Sequence, residues 1–134
     1  SYGLSFSTNY KTLPNLTLGY NFSVNDNFSD VIYVDSPTVT LEYFFLDAFS
    51  FVSEYSYYHN RNKSNTIDSE YDFLTASLMY QKKDSKWEWK LSGTNLLDTK
   101  SLDTNSFSQL GGTSTFSSYR VQPRFVILSL KYRL

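Results

Sequence analysis

The sequence predicts an all-β chain, an antiparallel transmembrane β-barrel segment of about seven strands that belongs to a larger barrel. Three observations lead to this expectation. Apolar and aromatic residues recur at every second position through seven segments, and the positions between them are mostly small and polar. The aromatics are abundant, with 12 Tyr, 11 Phe and 2 Trp, yet mean hydropathy is only -0.39. Large apolar side chains are therefore interleaved with polar ones rather than gathered into one run.

The elements follow in order. Tyr2, Leu4, Phe6, Thr8 and Tyr10 share one face, with Gly3, Ser5, Ser7 and Asn9 on the other. Pro14 and Asn15 supply turn chemistry. Leu16, Leu18, Tyr20, Phe22 and Val24 then alternate with Thr17, Gly19, Asn21 and Ser23. A third run sets Val39, Leu41, Tyr43 and Phe45 against Thr38, Thr40, Glu42 and Phe44. A tight turn at Asp47 and Ala48 leads to Phe49, Phe51, Ser53, Tyr55 and Tyr57, opposite Ser50, Val52, Glu54, Ser56 and Tyr58. The fifth run places Leu74, Ala76, Leu78 and Tyr80 against Phe73, Thr75, Ser77 and Met79. After Lys83, Asp84, Ser85 and Lys86, the sixth carries Trp87, Trp89, Leu91 and Gly93 opposite Glu88, Lys90, Ser92 and Thr94. The last has Val126, Leu128, Leu130, Tyr132 and Leu134 opposite Phe125, Ile127, Ser129, Lys131 and Arg133.

None of the residues assigned to the apolar face is charged, whereas the opposite face carries Glu42, Glu54, Glu88, Lys90 and Lys131. A charge facing lipid at the bilayer midplane costs about 2 to 4 kcal/mol, so a bilayer selects such a purge on one face only. A run of about 11 residues, rising ~3.3 Å each and tilted near 40°, crosses roughly 28 Å. Tyr80, Trp87 and Trp89 flank a short turn, where an interfacial aromatic girdle is expected. The connections alternate between short turns near residues 12, 47 and 84 and longer polar segments at 26–37, 60–70 and 98–118, read as external loops. A soluble β-sandwich, as in a secreted adhesin, is the competing architecture; its buried face seldom carries so many Tyr and Trp, whose polar tips all need partners.

Composition removes several function classes. The formal charge of -1 argues against a nucleic-acid partner bound through phosphates. The absence of cysteine rules out a disulfide framework and a thiolate zinc site. No apolar run approaches the ~20 residues of a membrane-spanning helix. The single His59 has no nucleophile or metal partner near it in sequence, and Asp26, Asp30 and Asp35 do not have EF-hand spacing. No catalytic residue, metal site or cofactor is expected, and the chain reads as a non-enzyme. Ser1 is not a start methionine and no signal-peptide pattern follows it, so the chain is expected to be processed or a piece of something longer.

An open seven-stranded sheet has two unpaired edges, which hydrocarbon does not tolerate. Further strands must complete it, and parity of a bacterial barrel places them before Ser1. The words Tyr71-Asp-Phe-Leu-Thr-Ala-Ser-Leu, Thr94-Asn-Leu-Leu-Asp-Thr-Lys and Tyr119-Arg-Val-Gln-Pro-Arg-Phe-Val-Ile-Leu-Ser-Leu-Lys-Tyr-Arg-Leu134 stand in this sequence. With them the chain resembles the C-terminal barrel end of TonB-dependent outer-membrane receptors of the Bacteroidetes type. The likeness covers the whole chain in pattern, and in recognisable words from about residue 70. It implies a 22-stranded barrel around an N-terminal plug, of which residues 1–134 are the C-terminal part, and active uptake of a glycan, peptide or metal chelate across the bacterial outer membrane. The implied partners are the lipid bilayer, the remaining strands and plug, TonB and a surface lipoprotein. The chain departs from that pattern in showing no plug or TonB-binding segment, and in ending at Leu134 where the family often ends in Phe. A receptor-like barrel serving as a structural subunit of a larger outer-membrane complex is the alternative.

Glu42, Glu54, Glu88 and Lys90 are the lumen-facing candidates for plug or substrate contact, with a cross-strand ion-pair ladder as their competing role. Phe28, Tyr33, Phe107, Phe116 and Tyr119 are the loop aromatics placed to touch a ligand or lid, or to pack loop against loop. The face assignment makes a direct prediction. Leu18→Arg and Leu128→Arg should each cost about 2 to 4 kcal/mol and impair insertion, while Ser5→Arg is tolerated better. Equal insertion of the three variants into vesicles would overturn the assignment.

Overall fold

Alternating side chains commit a strand to two unlike faces, and pairing in register merges these into two unlike faces of a sheet. The computed structural model describes residues 1–27, 30–64, 66–108 and 113–133, with the backbone alone for 27, 102–108 and 113–119. Nine strands appear: β1 (Tyr2–Ser7), β2 (Asn15–Asn27), β3 (Asp30–Phe45), β4 (Phe49–Asn62), β5 (Asp68–Gln81), β6 (Trp87–Thr94), β7 (Ser101–Ser108), β8 (Thr113–Arg120) and β9 (Phe125–Tyr132). Seven of them form one antiparallel sheet in the order β1-β2-β3-β4-β5-β6-β9, and β7 pairs only with β8. The chain is all-β, with no helix among the described residues.

Register carries the apolar positions across the whole sheet. Leu4 stands opposite Tyr20, Leu18 opposite Val39, Tyr43 opposite Phe51, Phe51 opposite Leu78, Leu78 opposite Leu91 and Leu91 opposite Leu128. Period two then places the other apolar positions on the same side. The reverse face has rows such as Thr17, Thr40, Glu54 and Thr75. The β3–β4 ladder skips Ser36 and Pro37, where the prolyl nitrogen has no hydrogen to donate.

The sheet is one layer thick and is not closed into a barrel. β1 and β9 each have a single neighbour, so each leaves one row of backbone groups unpaired. Among the described residues no apolar side chain is buried; the buried ones are Ser56, Asn62 and Asn95. Tyr2 and Leu4 are each 79% exposed on β1, and Leu130 is 65% exposed on β9.

The long polar connections need correction. Most of 26–37 and 60–70, read above as loops, is strand, because β2 pairs with β3 as far as Asn27 and Asp30 and β4 with β5 as far as Arg61 and Asp68. The run Val31, Ile32, Tyr33 and Val34, β-branched and aromatic, favours extension, and pairing satisfies the backbones of Asn25 and Asp26 opposite it. The third segment, 98–118, holds most of the β7–β8 hairpin, whose second strand runs on to Arg120. One end of the sheet thus has tight turns, while at the other the strands run on past the apolar stretch. In the β3–β4 turn Leu46 and Asp47 both have positive φ, 52° and 50°, the hand that matches strand twist in a short hairpin.

Candidate functional site

The polar face is built by the odd or even positions left over when the apolar ones are assigned. Glu42 lies between Asn15 and Val52, Glu54 between Thr40 and Thr75, and Lys90 between Met79 and Ser129. These three side chains are exposed, and none forms an ion pair among the described residues. Glu88 differs. Lys131 stands directly opposite it with Nζ 3.4 Å away, Arg133 reaches it through Nη2, and Gln81 donates to it at 3.1 Å. The expected cross-strand ion pairing is therefore present at Glu88 alone. The four candidates share a face but not a site.

At the turn end of the apolar face the rings form a row. Tyr43 stacks on Phe45 at 5.2 Å between centroids, Phe45 on Phe49 at 5.2 Å, Phe49 meets Tyr80 at 5.1 Å, and Tyr80 stacks on Trp89 at 6.0 Å. Trp87 meets Tyr132 at 4.8 Å. Tyr80, Trp87 and Trp89 thus flank the turn between β5 and β6, in company with Phe45, Phe49 and Tyr132. Offset rings of this kind contribute about 0.5 to 1.5 kcal/mol per pair beyond area burial.

The opposite end of the same face holds a polar rim that sequence reasoning missed. Tyr55 donates its hydroxyl to Asp72 at 3.3 Å, Tyr57 to Glu70 at 2.7 Å, and His59 Nε2 stands 2.7 Å from Asp68. Each partner sits two residues beyond the one directly opposite, so three consecutive same-face positions of β4 make the same diagonal reach to β5. On the other side of β4, Arg61 approaches Asp35 at 3.4 Å, and Tyr20 donates to Asp35 at 2.5 Å. The tyrosine rings thus stay with the apolar side chains while their hydroxyls reach charged groups. Only the register would have revealed this, since the partners are 13 to 17 residues apart in sequence.

The remaining candidates fall apart as sites. Asp26 and Asp35 lie on the apolar-face parity and Asp30 on the other, so they share no ligand sphere. Among the described residues no group of three or more His, Asp or Glu is placed to hold a metal ion. Tyr33 is in β3 rather than a loop, and stacks on Phe22 at 6.3 Å. Phe28 and the side chains of Phe107, Phe116 and Tyr119 lie outside the described residues.

Two buried asparagines secure the far end. Asn62, 6% exposed, accepts from the backbone N–H of Thr66 and Ile67 at 2.9 and 2.8 Å and donates to Asp30 at 2.6 Å. Ser64 also donates to Asp30, tying the β4–β5 turn to the start of β3. Asn95, 2% exposed with φ of 51°, accepts from Thr99 N–H at 3.0 Å and donates to the carbonyls of Thr99 and Gln122, each at 2.9 Å. One side chain so clamps both legs of the β7–β8 hairpin, and Thr99 donates to Asp72 C=O at 2.5 Å. Comparison with protein-family models, with curated proteins and with solved structures finds no match.

Two predictions follow from this geometry. Asn95→Ala leaves one N–H and two carbonyls without their partner and should cost about 1 to 3 kcal/mol. Asn95→Asp should be no better, because a carboxylate replaces the donor facing two carbonyls; faster proteolysis between residues 99 and 122 is the readout. For Asp30, beyond the apolar stretch, the Ser64 hydroxyl is the chief cause holding the carboxyl below its ordinary value, against an opposing effect of desolvation. A lowered carboxylate stabilises the fold above its unfolded-state value, and that stabilisation is lost as pH falls through the folded value. An NMR titration of Asp30 should therefore show a depressed midpoint that rises in Ser64→Ala; an unchanged midpoint refutes the assignment.

Proposed function

We propose that the chain is part of the wall of an outer-membrane β-barrel, in a TonB-dependent receptor that takes up a nutrient. The observation that carries this reading is the band on one face. Leu16 to Val24, Pro37 to Phe45, Phe49 to Tyr57 and Leu74 to Tyr80 are free of charge at every apolar-face position. Asp35, Arg61, Glu70 and Asp72 bound it at one end, and Asp47 and Lys82 to Lys86 at the other. Nine residues span about 26 Å along a strand, or ~20 Å along the membrane normal at a tilt near 40°. The aromatic rings at its margins, Phe45, Phe49 and Tyr80 at one end and Tyr57 at the other, lie within that span, which approaches the ~25 Å of an outer-membrane barrel.

The two open edges supply the second argument. β1 and β9 each have unpaired backbone groups, and burial of such groups in lipid requires more strands. A sandwich would instead require a second sheet against the apolar face, and the only other sheet among the described residues is the hairpin β7–β8. The polar face, with its small residues and unpaired Glu42, Glu54 and Lys90, suits a wetted lumen or a plug contact. Transport itself rests on the resemblance of the sequence words. A wall-only role in a larger outer-membrane complex is favoured by one observation: those three charged groups stand apart on the polar face and do not form one site.

The test is the native polypeptide extracted in detergent from outer-membrane fractions. A barrel resists unfolding in SDS without heat and shifts in migration on boiling. A heat-modifiable chain several times heavier than 15.6 kDa, with a plug ahead of this segment, is the expected result. A heat-modifiable chain without a plug moves the reading to the structural subunit. Recovery in aqueous buffer with no heat-dependent shift overturns both.

A further inference from the structure

The chain has 12 cations and 13 anions, but they are not mixed along the outer surface. At the turn end Lys11, Lys82, Lys83 and Lys86 stand with Asp47 and Asp84. At the far end of the apolar face Asp35, Asp68, Glu70 and Asp72 outnumber Arg61 and His59. One rim is net basic and the other net acidic. A nearly neutral chain with this separation meets two different surroundings at its two ends.

The β5–β6 turn, residues 82–86, holds its lysines in a defined place. Ser85 N–H donates to Lys82 C=O at 3.1 Å, the Ser85 hydroxyl bridges to Trp87 C=O and N–H at 3.0 and 3.1 Å, and Arg133 N–H donates to Lys86 C=O at 2.8 Å. Lys82, Lys83 and Lys86 are exposed and form no ion pair among the described residues. Lys86 Nζ lies 5.8 Å from the Tyr132 ring centroid, and Trp87, 55% exposed, packs against that ring. Three ammonium groups thus sit immediately beyond an exposed indole and phenol on the apolar face.

We infer that this turn is a docking surface for anionic phospholipid headgroups. The inference rests on the barrel reading above and adds to it a lipid preference. Phosphate and glycerol oxygens of the headgroup accept hydrogen bonds from the three ammonium groups, and Trp87 and Tyr132 occupy the boundary between headgroup and acyl chain. Charge complementarity selects the occupant: a zwitterionic headgroup offers its own cation to the lysines, whereas phosphatidylglycerol offers only the phosphate charge. Asp84 in the same turn and Asp47 in the neighbouring one reduce the field without reversing it. The acidic rim cannot host the same headgroup, so the lipid excess is expected at the turn end alone.

The experiment uses the full-length protein in nanodiscs of equal phosphatidylglycerol and phosphatidylcholine, with retained lipids counted by native mass spectrometry. Phosphatidylglycerol should be retained in excess, by about five-fold per engaged lysine. Lys82→Gln/Lys83→Gln/Lys86→Gln should abolish the excess, the corresponding triple Arg variant should keep it, and Lys90→Gln on the polar face should leave it unchanged. Heat-dependent migration of every variant is followed in parallel. A heat-modifiable protein with no phosphatidylglycerol excess, or with an excess that survives the triple Gln change, overturns the headgroup site alone. A chain that never becomes heat-modifiable in lipid overturns the barrel reading and this inference together.

Discussion

Everything in this molecule depends on one constraint: a single sheet cannot satisfy itself. Its seven strands bond to one another through their interior ladders, yet both outer strands keep an unpaired row of N–H and C=O groups. One face also presents Leu, Phe, Tyr and Trp that no other described layer covers. In water such a sheet would expose an apolar patch far larger than a soluble monomer carries. In lipid the apolar face becomes an advantage and the edges become the problem. More strands solve the second difficulty without disturbing the first. The absence of a buried apolar side chain among the described residues is therefore consistent with a sheet whose apolar partners lie outside it.

The same constraint explains where charge is allowed. Along β4 the apolar-face positions run from Phe49 through Tyr57 without charge, and then turn to His59 and Arg61. Tyrosine marks the change because its ring belongs with one side and its hydroxyl with the other, and the diagonal bonds from Tyr55 and Tyr57 to β5 carboxylates are the form that compromise takes. On the reverse face the purge is relaxed. Glu88 nevertheless gathers Lys131, Arg133 and Gln81, while Glu42 and Glu54 stand alone. Glu88 is next to the last turn, where β9 brings its two cations into reach; no cation occupies the positions opposite Glu42 or Glu54.

Period two in the sequence was enough to identify all seven strands of the main sheet and to sort their faces, because a one-residue slip would reverse every side chain at once. Tyr80, Trp87 and Trp89 could be placed for the same reason. The strand ends were not legible. Val31 to Val34 lay in a segment rich in Asn and Asp, and composition suggested a loop where pairing with Val24 and its neighbours made strand. Serine and threonine in 101–120 hid a hairpin in the same way. Site geometry was the least legible of all. Whether Glu88 meets a lysine depends on a register shared by residues far apart in sequence, and no local pattern fixes that number.

Asn95 shows how a sequence word can be conspicuous for structural reasons. The run Thr94-Asn-Leu-Leu-Asp-Thr contributes to the receptor likeness, yet Asn95, Leu96 and Thr99 each have a task in this fold. Asn95 takes a positive φ, which its short polar side chain tolerates, and ends β6. Leu96 turns back over Gly93, where an added Cβ would meet its Cδ2 at 2.7 Å, so glycine at 93 makes room for that turn. Leu96 N–H still pairs with Leu74 C=O, and Thr99 reaches Asp72 C=O, so the connection follows β5 upward after the strand itself has ended. Hydrogen bonding to β5 is thereby continued past the end of β6, and the hairpin leaves from a fixed point. A motif that anchors a hairpin at the end of a sheet would serve a transporter and a purely structural barrel equally well. The word therefore belongs to the architecture of this sheet, and the choice between the two proposed functions turns on the presence or absence of a plug.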